Sequence, residues 1–287
     1  MPVVLYGVFA AFCWSIHDIF ARNLAARTGP FRMAAWVMAF GGVVLTAVML
    51  AKGITWDMPR NGVLLAYLAG LAYGLGVGSL FRAFSLGPVS LVAPLTATYP
   101  VLVFFWAVIM GLAPTALQLA ATAMAIGGSI LVAKGGGGDG GFAAIERTRI
   151  TPFLLFCLLC AIGLAASVVA GQLAAPEIGE IEAAWIARPL ALAVLLPFLA
   201  GAKPMAPLDF RQWRGIAAMA VLDVAGIVAV NAAGRLPGKE FAAVGISAYG
   251  AIAVLLARLV LKESVKALQW LGIAFIVAGV GLLSAPA

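Results

Sequence analysis

One histidine, three cysteines and eleven carboxylates are all that 287 residues offer for metal, redox or acid–base chemistry. Cys13, Cys157 and Cys160 each fall inside an apolar run, and the CxxC pair Cys157 and Cys160 has no second pair to complete a zinc site. They read as small buried hydrophobes, so neither a metal nor a cofactor is expected. Charge is equally scarce: Lys, Arg, Asp and Glu make up 10% of the chain, against about a quarter in soluble domains. The net charge of +7 comes with no long basic cluster and no aromatic-basic platform, which argues against a nucleic-acid partner. HExxH, paired intramembrane aspartates and a serine-histidine arrangement are missing too, and no enzyme active site is expected.

What is abundant is apolar surface. Hydrophobic residues make up 64% of the chain and mean hydropathy is +1.11, so the protein is an integral membrane protein whose main partner is the lipid bilayer. A spanning helix needs about 20 apolar residues. Such runs lie near 3–24, 31–51, 61–84, 88–110, 114–133, 152–174, 182–201, 212–233, 239–261 and 267–284. Ten helices are predicted, and the short alternating segments of a barrel are absent. The start, MPVVLYGVFAAFCW, has no basic n-region or cleavage site and reads as a retained helix. With each Lys and Arg assigned to its nearest connection, thirteen of the eighteen belong to the connections after odd-numbered runs, four to the termini and the connections after even-numbered runs, and Arg188 is inside the seventh run. The positive-inside rule then places both termini outside.

The stretch GGGGDGGFAAIERTRI, 135–150, reads as a flexible linker between residues 1–134 and 151–287, five runs each. No strand precedes its glycines and no Gly-Lys-Ser/Thr follows, so it is not a phosphate cradle. LTATYPVLV, 95–103, lies over GISAYGAIA, 245–253, and LQLAATAMAIGGSILV, 117–132, over LQWLGIAFIVAGVGLL, 268–283. An odd number of helices per copy makes the second enter from the opposite side. Charge agrees: the connection after the first run carries three arginines, and its counterpart APEIGEIE carries three glutamates. The expected fold is therefore all-α, with two inverted five-helix repeats around a central cavity, a construction frequent among secondary transporters.

Trp14-Ser15 in the first run, the SLGPVSLVAPLTATYPVLV stretch with Pro100, and the LVLKESVKALQWLGIAFIVAGVGLL ending resemble the drug/metabolite transporter superfamily in its ten-helix EamA-like form. The resemblance covers nearly the whole chain. In that family an acid commonly follows the fourth and ninth helices; Glu263 fits the latter, whereas Leu112 and Ala113 stand at the former. Within the superfamily the chain is most similar to the YddG-type bacterial amino-acid exporters. That resemblance implies alternating-access efflux of amino acids or similar small metabolites across a bacterial inner membrane, and the charge distribution predicts both termini on its periplasmic side. Export of other metabolites or drugs, or a non-transporting scaffold, are the alternatives.

Polar groups at membrane depth mark the candidate site. Asp223 sits mid-run in IAAMAVLDVAGIVAVNAAG, where an acid costs roughly 2.5 to 3.5 kcal/mol. Two readings stay open for it: an anchor for a substrate ammonium or a proton carrier, or a permanent hydrogen bond to another helix. His17 is set for a substrate carboxylate, a proton or packing. Asp18 and Arg22 form an i,i+4 acid-base pair. Tyr99-Pro100 and Tyr249-Gly250 interrupt corresponding runs of the two halves, so Pro100 and Gly250 are expected hinges and both tyrosines should approach one space. Gly70, Gly74 and Gly78 give a smooth packing face, with Tyr73 and Ser79 at the cavity edge. Arg188 is placed to meet a substrate carboxylate or to gate the outer mouth through Glu182. Trp14, Tyr73, Tyr99, Asp223 and Tyr249 fall near one plane with His17 deeper, a set suited to a zwitterion with an apolar side chain.

Overall fold

The computed structural model describes residues 3–53, 57–87, 92, 95–96, 98–136, 145, 147–199, 207–261 and 265–284, apart from the side chains at 22, 23, 25–27, 136, 257 and 261. The helices among them are α1 (Val3–Thr28), α2 (Pro30–Lys52), α3 (Arg60–Leu86), α4 (Tyr99–Ile109), α5 (Ala116–Gly136), α6 (Arg147–Ile178), α7 (Glu180–Leu199), α8 (Phe210–Ala232), α9 (Phe241–Ile246), α10 (Ala248–Leu261) and α11 (Ala267–Ser284). Among the described residues nine spans are long and apolar enough to cross a membrane, α9 and α10 together forming one, and α4 is a shorter apolar helix. Local signals set several ends. Pro30 opens α2, where its missing N–H costs no helix bond. At the start of α8 the Asp209 side chain accepts from the Gln212 N–H and the Gln212 side chain accepts from the Asp209 N–H, a reciprocal cap.

The ninth run is broken, but one turn earlier than its glycine suggests. The helix stops at Ile246 and restarts at Ala248, with Ser247 in a turn; Gly250 lies inside α10, facing Val132 and Ser129. The break follows the crossing with α1, where Gly7 and Gly245 approach so closely that neither has room for a Cβ. In the fourth run the described helix starts at Tyr99 with Pro100 in its first turn, a position proline tolerates. Of the expected linker, residues 137–144 and 146 lie outside the described residues, α5 reaches Gly136 and α6 already begins at Arg147.

Helix pairing obeys a two-fold exchange of the halves at a shift of 150 residues. Gly76 of α3 meets Leu164 of α6, and Gly226 of α8 meets Trp14 of α1; Gly41 of α2 meets Val224, and Gly74 meets Ala191 of α7. Equivalent helices run antiparallel. Along α5 and α11, Gly128 lies against Gly272 and Ile276, while Gly279 lies against Ala121 and Ala125. Along α2 and α7, Gly41 meets Arg188 and Lys52 meets Glu182. The two repeats are therefore inverted, as an odd number of helices per copy requires. The end where α1 stops and α2 starts carries the connections rich in Lys and Arg and is the basic end of the bundle.

Small residues permit these approaches. A Cβ on Gly128 would lie 2.6 Å from the Gly272 carbonyl oxygen, whereas one on its neighbour Gly127 would meet nothing within 4 Å. Gly128→Ala is expected to lower thermal stability by the equivalent of about 1 to 3 kcal/mol through overpacking. Gly127→Ala should be neutral or slightly stabilising, because alanine is the better helix former. Thermal unfolding of the two variants in detergent checks the contrast.

Candidate functional site

Between the repeats lies a cavity of about 610 Å³ that runs from mid-bundle to the basic end, where it reaches Pro30 and Phe84. Helices of both halves wall it, which places it at the repeat interface. Trp14, His17, Tyr73, Tyr99, Pro100, Asp223 and Tyr249 all line it. The equivalent tyrosines Tyr99 and Tyr249, from the interrupted fourth and ninth runs, thus reach one space.

Three of the expected residues are placed differently. Ser79 is buried away from the cavity, because on α3 the lining stripe is Tyr73, Val77, Leu80, Phe81 and Phe84 and Ser79 falls on another face. Gly250 packs against α5 and does not line the space. Arg188 stands behind the cavity wall. Its Nη1 lies 2.6 Å from Asp223 Oδ2, both side chains almost fully buried, and its guanidinium sits 5.7 Å over the Tyr73 ring. It has no contact with Glu182, which pairs with Lys52 at 2.8 Å.

Asp223 is therefore not a lone acid. Tyr73 Oη donates to Oδ1 at 2.9 Å while Arg188 opposes Oδ2, so hydroxyl and guanidinium together offset the cost of a carboxylate at this depth. Tyr73 and Asp223 occupy equivalent positions of the two repeats, and their bond lies on the two-fold axis.

Of the two carboxylates that line the cavity, Asp18 is the exposed one. Its side chain remains 43% exposed while Oδ1 lies 2.9 Å from His17 Nδ1 and Oδ2 accepts from the Tyr249 hydroxyl. The sequence assigns Asp18 to Arg22, whose side chain lies outside the described residues; the described partners are His17 and Tyr249. Since Asp18 occupies Nδ1, His17 presents Nε2 to other groups. Ser15 Oγ lies 2.6 Å from the Ala11 carbonyl and 3.2 Å from that of Tyr249, tying α1 to α10 beside this cluster. Among the described lining residues there is no Lys or Arg.

Further polar groups line the cavity without having been anticipated: Thr96, Ser129, Ser167, Asn231 and Ser247. For Ser167 a signal did exist, since it is the repeat equivalent of His17. Three methionines, Met33, Met38 and Met219, make part of the remaining apolar wall adaptable rather than rigid.

At the opposite end the molecule is shut. Lys52 pairs with Glu182, Arg235 Nη2 lies 3.0 Å from Glu180 Oε2, Asn231 Nδ2 donates to the Glu180 carbonyl at 3.3 Å, and Gln172 Nε2 donates to that of Lys239 at 3.0 Å. Val3, Val4, Phe241 and Val244 close the same end with an apolar cluster. One mouth is open and the other sealed.

The profile of the EamA-like transporter family matches residues 1–134 and 151–285. No curated protein matches the sequence significantly. Among solved structures, one described as "Crystal structure of protein" superposes with a TM-score of 0.81 at 17% identity, over 99% of this chain and 97% of its own. At that identity the likeness is one of fold. Glu263, which fits that family's ninth-helix acid, lies outside the described residues.

Proposed function

This chain belongs to the EamA-like transporter family, and we propose that as a membrane transporter of small molecules it exports amino acids by alternating access, in the manner of the YddG-type exporters. The observation that carries this reading is the exposed Asp18 carboxylate in a mostly apolar cavity closed at one end and open at the other. A substrate ammonium binds Asp18, and its carboxylate pairs with His17 in the doubly protonated form, in which Nδ1–H donates to Asp18 and Nε2–H to the substrate. Trp14, Tyr99 and the methionines receive an apolar or aromatic side chain. The volume lies in the range of small-molecule sites, about 300 to 1,000 Å³. Phosphorylated sugars fit poorly, because no Lys or Arg lines the described walls.

With both termini periplasmic, as charge distribution favours, the basic end faces the cytoplasm of a bacterial inner membrane and the open cavity loads substrate from inside. Pro100 and the interrupted ninth run flex as the repeats change shape. The space also exceeds what one small amino acid fills, which favours apolar amines or drugs as a second substrate class. Purified protein in liposomes loaded with a labelled aromatic amino acid tests the proposal: efflux that unlabelled apolar amino acids compete is expected. Retention of the label, with amines or other metabolites moving instead, transfers the assignment to the second class.

A further inference from the structure

A second, much smaller space of about 20 Å³ lies on the sealed side of the axis. Ala183, Ala184, Ala187 and Arg188 of α7 line it, and their repeat equivalents Met33, Ala34, Val37 and Met38 of α2 all line the large cavity. The agreement extends to other helices. Ile227 and Asn231 are the equivalents of Val77 and Phe81, Ser167 of His17, and Ala69 of Met219. Nine of its ten lining residues have their partner in the large cavity, Ala191 being the exception because Gly41 is not on that wall. The small chamber is the collapsed image of the large one across the two-fold axis.

Inverted repeats that exchange shapes close one side as they open the other. That exchange gives α7 the place α2 holds now, and brings Arg188 to where Met38 faces the cavity. The guanidinium arrives with Nη1 on Asp223 Oδ2 and with Nη2 buried without a hydrogen bond. The two vestibules thus differ in charge. The large one presents Asp18, whose equivalent Val168 is uncharged, and the small one presents Arg188, whose equivalent Met38 is uncharged. We infer that the small chamber is the closed second vestibule of the transport path and that Arg188 is its recognition group for a substrate carboxylate. This deepens the proposed function and rests on reading the cavity as a transport path.

The test uses paired thiols in a variant with Cys13, Cys157 and Cys160 replaced by alanine. Ala34→Cys and Ala184→Cys are treated, in sealed vesicles of known orientation, with a charged, membrane-impermeant thiol reagent from either face. Ala34→Cys should react from the face of the basic end. Ala184→Cys, buried here at 1% exposure, should react from the opposite face only, and faster when Glu182→Gln removes the Lys52 pair. Phenylacetate should slow modification of Ala184→Cys by about tenfold or more, the worth of a charge-assisted hydrogen bond, and phenethylamine should not. The protection should vanish in Arg188→Met/Asp223→Asn, which removes both charges together. An Ala184 thiol inert from both faces while Ala34→Cys reacts, or a reactive one that phenylacetate does not protect, overturns the inference. Labelling needs no transported substrate. A reactive, protected thiol in protein that moves no amino acid therefore overturns only the substrate assignment.

Discussion

Arg188→Met alone is expected to lower the stability of the folded protein by the equivalent of about 3 to 5 kcal/mol, and adding Asp223→Asn should restore most of it. The guanidinium and the carboxylate face each other at 2.6 Å and are 3% and 4% exposed. Removing one member strands the other in a low-dielectric setting, which is the costly way to break a buried pair, whereas neutralising both is often close to neutral. Methionine is chosen because Met38 already holds the equivalent site in the first repeat. Asp223→Asn keeps an acceptor for the Tyr73 hydroxyl. Thermal unfolding followed by size-exclusion chromatography checks the rescue. If the double variant is no more stable than Arg188→Met, the pair is not what holds Asp223 at this depth.

The second large effect concerns transport with stability held constant. Asp18→Asn is expected to reduce amino-acid flux by about tenfold to a hundredfold, the range of a lost charge-assisted contact of 1.5 to 3 kcal/mol. Its carboxylate faces the cavity and supplies both the charge for an ammonium and the acceptor for His17 and the Tyr249 hydroxyl. Asparagine keeps an acceptor oxygen at similar volume, so the fold should tolerate it. Tyr249→Phe, which removes only the hydroxyl, should cost less flux. Flux in liposomes, measured beside the melting temperature of each variant, separates recognition from folding; full flux in Asp18→Asn would remove this residue from the site.

The spans were legible because a membrane leaves the sequence little freedom: each helix satisfies its own backbone and shows an unbroken apolar run. Inversion was legible from the parity of five and from the charged connections. Trp14, Tyr73, Tyr99, Asp223 and Tyr249, which the fixed rise per residue puts near one plane, line one cavity. Direction around the helix was harder. Ser79 has a suitable depth, but six residues from Tyr73 at about 100° each turn it to another face. Partners were hardest. Arg188 meets Asp223 only when α7 packs beside α8, and the nearer carboxylate at Glu182 is taken by Lys52. The break in the ninth run falls at Ser247 because α1 crosses at Gly245, a tertiary contact that glycine propensity at Gly250 does not report.

All of this depends on two inverted repeats whose shapes interchange around one central space. Spin-label distances measure that interchange most directly, with one pair at Arg32 and Ser85 near the basic end and its repeat equivalent at Glu182 and Arg235 near the opposite end. On passing between the two states, set by substrate or by the Glu182 substitution itself, one distance should lengthen as the other shortens. Distances that change together, or that both stay fixed in protein that transports, would contradict the exchange of the two vestibules.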